Sequence, residues 1–235
     1  LILMLTGLNV LDLHSVQKLM TFLVVATLLV GNLLALVQDD LKRMLAYSSI
    51  SPAGYLLLAL LAGFKEGKFD ASSTSPVLFY LMGYFAMTIG AFAVLSLLTR
   101  ERSEATRMSD LRGLGYRHPF LALALTVFML SMIGMPGTVG FAAKYGIVAL
   151  AVENGHLGLA ILAVVASVIS VFYYLRPSVA MFFESDATDA DDVITEIPFT
   201  SAISITVCLL AVLFLGLKPD WYLPLSQIAA TALVR

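Results

Sequence analysis

Charge is scarce in this chain. Only 13% of its 235 residues are acidic or basic against 60% hydrophobic, and the mean hydropathy is +0.93. That composition excludes a water-soluble globular domain and makes the chain an integral membrane protein. A basic excess is also missing: the net charge of −2 leaves no electrostatic footprint for a nucleic acid. The single cysteine, Cys208, has no partner, which excludes an internal disulfide and a cysteine-ligated metal or iron–sulfur centre. His14, His118 and His156 are scattered near the ends of apolar runs rather than clustered, so no metal site is expected. No dinucleotide-binding glycine pattern occurs. Leu1 is not a methionine, and LILMLTGL reads as the end of an apolar segment, as in the later part of a longer membrane protein.

What is present is a series of long apolar runs. A bilayer core of about 30 Å needs roughly 20 helical residues, and six runs meet that length: about 16–37, 41–63, 76–99, 118–152, 157–183 and 197–217. The expected fold is an all-α polytopic membrane helix bundle. Asn32 is the strongly polar residue inside the first span, placed there for an interhelical hydrogen bond or for an ion path. Tyr47, Ser51 and Tyr55 recur every four residues, as do Tyr80, Tyr84 and Thr88, giving two hydroxyl stripes expected to face inward. Ser167, Ser170, Tyr174 and Ser178 share a face of the fifth span, whose end Arg176-Pro177 is expected to kink or fray. Trp221 and Tyr222 suit an aromatic belt at the interface.

The fourth run is too long for one crossing. Gly134-Met135-Pro136-Gly137 lies near its centre, where proline removes a backbone donor and two glycines ease unwinding. Two half-helices joined by an unwound hinge are predicted, with Gly134, Pro136 and Gly137 as hinge residues. In lipid such a break is tolerated where freed backbone groups face protein or trapped water, and in transporters it marks the ion path. Lys144 follows about two turns later, with no carboxylate until Glu153. A cation at that depth either faces a hydrated interior and works there, or snorkels to an interface along its apolar stem.

Alternate loops share a side of the membrane. One side holds Lys42, Arg43, Arg100, Arg102, Arg107, Arg112 and Arg117; the other holds Lys18, Lys65, Lys68, Lys218 and Arg235. The positive-inside rule puts the arginine loop 100–117 in the cytoplasm and the C-terminus outside.

Several of these stretches resemble a known family. Asn32 to Gln38 (NLLALVQ), Asp40 to Ser51 (DLKRMLAYSSIS) with Gly54-Tyr55, Leu130 to Pro136 with Gly140-Phe141 and Lys144, and Ser170 to Arg176 (SVFYYLR) are similar to the antiporter-like subunits of respiratory complex I. In the L- and M-type subunits and the related sodium/proton antiporters, the third span carries histidine and lysine. Here that text is Tyr84 to Phe92, YFAMTIGAF, which resembles the N-type branch.

The resemblance implies two inverted five-helix repeats, of which this chain holds one. Residues 1–15 would end a truncated span, 16–184 would form the repeat, and 185–235 would supply an acidic loop, the last span and an interfacial C-terminus. It further implies a proton-translocating membrane subunit of an NADH–quinone oxidoreductase in a bacterial inner membrane, beside other membrane subunits. NADH, FMN, iron–sulfur clusters and quinone would be held by partners, with no cofactor in this chain. Lys144 is then the expected proton relay, with Tyr47, Ser51, Tyr84 and Thr88 holding connecting waters. Lys42 is either a participant in proton admission or coupling, or a topology anchor beside Arg43. A free-standing cation/proton antiporter of the same fold and a scaffold without transport are the alternatives.

Overall fold

The computed structural model describes residues 13–65, 68–69, 73–101, 107–184 and 197–218. The expectations for 1–12, for the acidic loop 185–196 and for the interfacial Trp221 and Tyr222 lie outside the described residues. The elements are α1 (Leu13–Leu36), α2 (Leu41–Ser48), α3 (Ile50–Ala62), a two-stranded hairpin of β1 (Phe64–Lys65) and β2 (Lys68–Phe69), and α4 (Thr74–Glu101). A short 3-10 turn at Met108–Leu111 and α5 (Leu114–Arg117) lead into α6 (Pro119–Ile133), α7 (Val139–Glu153), α8 (Leu157–Phe183) and α9 (Phe199–Leu217).

The architecture is an all-α membrane bundle with the predicted helix break. Apolar side chains cover its outside, among them Phe22, Phe85, Ile161, Phe172 and Leu210, each more than half exposed. That surface suits a chain whose solvent is hydrocarbon. Helices α6 and α7 have 15 residues each, about 22 Å apiece, so neither half crosses a bilayer alone. They occupy the centre: α6 packs on α4 and α8, and α7 on α3, α4, α8 and α9.

The span expected at 41–63 is present as one helical run from Leu41 to Ala62, interrupted only by a turn residue at Ser49 that keeps the right-handed helical backbone (φ −69°, ψ −13°). Helix α2 ends at Ser48 and α3 begins at Ile50. Pro52 supplies the reason, because it has no N–H to give the Ser48 carbonyl and its ring crowds that carbonyl. At the start of this pair Asp40 caps α2, its carboxylate accepting from the Arg43 N–H at 2.9 Å.

Helix α8 runs Leu157–Phe183, the bounds expected for the fifth span, and carries Pro177 within it without fraying there. Arg176 holds this part of the helix against the end of α1. Its guanidinium donates to the Gln38 carbonyl at 3.0 Å and pairs with Asp39 at 2.6 Å. Nearby, Arg112 pairs with Glu184 at 2.7 Å, and the Met108 N–H donates to the Asp39 carbonyl. The turn at 38–40, the segment 107–117 and the end of α8 therefore gather at one end of the bundle.

Candidate functional site

The break between α6 and α7 is built from two glycines in the left-handed region, Gly134 at φ +97° and Gly137 at φ +87°. Helix α7 then passes very close to the end of α6. A Cβ on Gly140 would stand 1.8 Å from the Ser131 carbonyl oxygen, so only glycine allows this approach. The Gly140 N–H donates to Ser131 Oγ at 3.2 Å across the same contact.

A helix end leaves four carbonyls without intrahelical partners. In α6 these belong to Leu130, Ser131, Met132 and Ile133. The first two accept from the backbone N–H groups of Gly134 and Met135. The last two accept from Lys144, whose Nζ reaches back across the break to the Met132 oxygen at 2.8 Å and the Ile133 oxygen at 3.0 Å. Its third hydrogen bond goes to Ser167 Oγ at 3.0 Å, and Ser167 in turn donates to the Ile133 carbonyl at 2.8 Å. All three ammonium donors are thus used, at the negative end of a helix dipole. Among the described residues no carboxylate pairs with Lys144. Tyr55 lies beneath the amine, its ring centroid 5.3 Å from Nζ and its hydroxyl donating to the Ala163 carbonyl at 2.6 Å.

Lys144 borders two spaces. One is a crevice of about 20 Å³, room for a single water, lined by hydroxyls that include Ser51, Tyr84, Ser170 and Tyr174. The other is a groove of about 310 Å³ with largely apolar walls, among them Phe141, Val148, Val164 and Val168. Tyr145 and Val168 on its rim are 65% and 56% exposed, so the groove opens on the outer surface.

The structure brings together some of the expected site residues and not others. Ser51 and Tyr84 line the crevice, and Ser51 Oγ accepts from Asn32 Nδ2 at 3.0 Å. Asn32 also accepts from the Tyr173 hydroxyl at 2.8 Å, so it ties α1 to α3 and α8. Thr88 lies one turn beyond Tyr84, its hydroxyl buried and outside the crevice lining. Tyr47 is 37% exposed on α2 and lines neither space; its neighbour Ser48 takes the crevice-facing side with Ser51 and Tyr55. Lys42 is exposed in the first turn of α2, thirteen residues and about 20 Å of helix from Tyr55. The sequence places Ser167 and Tyr55 on hydroxyl faces without linking them to the amine.

Comparison with known proteins follows the same lines. Residues 1–170 match the family model described as NADH:quinone oxidoreductase/Mrp antiporter, TM. The chain is 42% identical over 219 residues to NADH-quinone oxidoreductase subunit N of Halorhodospira halophila, covering 92% of this chain and 44% of that protein. It is 43% identical over 211 residues to the subunit N of Trichlorobacter lovleyi, covering 90% and 42%. The chain therefore spans less than half the length of these relatives. Among solved structures, a chain of respiratory complex I from Thermus thermophilus with bound aureothin is 37% identical with a TM-score of 0.73, over 88% of this chain and 45% of that one. A chain of the archaeal membrane-bound sulfane sulfur reductase is 27% identical with a TM-score of 0.81, over 93% and 42%. The chain belongs to the NADH:quinone oxidoreductase/Mrp antiporter transmembrane family.

Proposed function

We propose that this chain carries the second proton-handling repeat of a subunit N in a proton-translocating NADH–quinone oxidoreductase, and that Lys144 is its proton-relay site. The observation that carries the reading is the placing of one amine at a helix break, solvated by two freed carbonyls and a hydroxyl, beside a hydroxyl-lined crevice. Removing an ammonium from water is costly unless protein dipoles replace its hydration, and the end of α6 does so here.

The same contacts serve both protonation states. With Nζ charged, Ser167 accepts from it and donates to Ile133. When the proton leaves, the amine gains a lone pair and the Ser167 hydroxyl can rotate to donate to it, so no buried group is left unpaired. Ser51 and Tyr84 line the crevice and hold the one water it admits, with the Thr88 hydroxyl one turn beyond them. Gly134, Pro136 and Gly137 keep the backbone open at the break. Moving one charge against the membrane potential costs about 2.3 kcal/mol per 100 mV, which quinone reduction elsewhere in the assembly covers.

NADH, FMN, iron–sulfur clusters and quinone belong to partner subunits on this reading, since one cysteine cannot hold a cluster. The protein sits in a bacterial inner membrane beside other membrane subunits, with the arginine segment 100–117 cytoplasmic and the C-terminus periplasmic. Seven basic residues against five support that orientation. Lys42 serves as a topology anchor. A free-standing antiporter fits less well, because the third span lacks the histidine–lysine pair of that branch.

The test is Lys144→Ala in the assembled complex. NADH-driven proton pumping through this subunit should be largely lost while assembly and electron transfer persist; unchanged pumping would overturn the reading.

A further inference from the structure

Among the described residues, only Tyr55 joins Lys144 in lining both the polar crevice and the apolar groove. Lys144 itself is the relay, so Tyr55 is what remains to separate the two spaces. Its ring is 2% exposed and fixed from three directions. The hydroxyl is anchored on the Ala163 carbonyl of α8, one face meets the ammonium, and Tyr80 stacks against it with centroids 5.8 Å apart. Tyr84 continues the stack beyond Tyr80, with centroids 6.4 Å apart. The aromatic column thus runs along the crevice and ends at the boundary with the groove.

We infer that Tyr55 is a positioning residue and a seal: its ring holds the Lys144 amine on the α6 carbonyls and closes the hydroxyl-lined crevice against the groove that opens on the outer face. An ammonium is attracted to an aromatic face most strongly where water is excluded, so the contact favours a charged amine without adding a carboxylate. The walls of the groove are apolar, and a proton that escaped past the ring would leave the relay without doing work. This role rests on the proton-translocation reading and adds to it a barrier with its own signature, a passive leak.

The experiment compares Tyr55→Met, Tyr55→Phe and Tyr80→Met in membrane vesicles containing the assembled complex. Three quantities are read: NADH-to-quinone electron transfer, NADH-driven pumping, and the decay of an imposed pH gradient without NADH. Methionine is apolar and flexible enough to repack but is smaller than tyrosine and has no aromatic face, and Tyr80→Met removes the same volume as a control for it. Tyr55→Met should keep electron transfer, lose most pumping and accelerate the decay severalfold. Tyr55→Phe keeps the ring and should stay tight and pump. Tyr80→Met makes the same change on a residue that lines the crevice alone, and should also stay tight. A tight, fully pumping Tyr55→Met complex overturns the inference, as does equal leakage from Tyr80→Met. If Tyr55→Met does not assemble, Tyr55→Phe still decides, because a leak there shows that the ring does not seal. Failure of the relay reading is separate: it appears as full pumping by Lys144→Ala, whatever the Tyr55 variants do.

Discussion

Lys144 Nζ lies 2.8 Å from the carbonyl oxygen of Met132, twelve residues earlier in the chain and on the far side of the helix break. One contact thus joins the two halves of a discontinuous span and fixes the only lysine in this stretch of chain at the end of α6. Structure and chemistry meet there: the carbonyls that the break frees are the ones that solvate the amine.

Ser167 is the hydroxyl shared between Lys144 and Ile133. Ser167→Ala leaves a donor of the amine unmatched at a net cost of about 1.5 kcal/mol, which slows proton pumping by about tenfold while quinone reduction persists. Ser167→Thr, which keeps the hydroxyl, should pump near the wild-type rate. Parallel pumping assays on the two variants check this.

Gly140→Ala drives a Cβ into the backbone of Ser131, where no side-chain adjustment relieves it. Destabilisation of at least about 3 kcal/mol is expected, and little assembled complex should reach the membrane. Gly146→Ala in the same helix α7 meets open space and should assemble as wild type or better. Native-gel quantitation of the complex compares the two.

Lys42→Ala should leave pumping and electron transfer within about twofold of wild type, because the side chain is exposed and far from the break. Loss of pumping at full assembly would instead place Lys42 on the proton path.

The membrane character, the bundle and the break at 134–137 were legible in the sequence because each rests on local chemistry: apolar run length for the spans, proline and glycine for the hinge. Asn32 was legible in its residue type alone, as a polar group inside a span, and its partners Ser51 and Tyr173 lie 19 and 141 residues away. Lys144 stood out by its cost in hydrocarbon. Its partners did not, since backbone carbonyls carry no residue-type signal and Ser167 is 23 residues further on. The Tyr47 stripe misled because a four-residue step drifts about 40° around a 3.6-residue helix, and Ser48, not Tyr47, shares the crevice-facing side with Ser51 and Tyr55. The boundary role of Tyr55 needed three helices placed around it before it could be read.

The measurement that bears most directly on the relay is the ratio of protons moved to electrons transferred by the assembled complex carrying Lys144→Arg, taken on the same vesicles as quinone reduction. Arginine can still donate to the Met132 and Ile133 carbonyls, but it does not release its proton at accessible pH. If Lys144 works by taking up and releasing a proton, the ratio falls as far as it does in Lys144→Ala, with assembly intact. A Lys144→Arg complex with the wild-type ratio would show that the lysine only closes the end of α6.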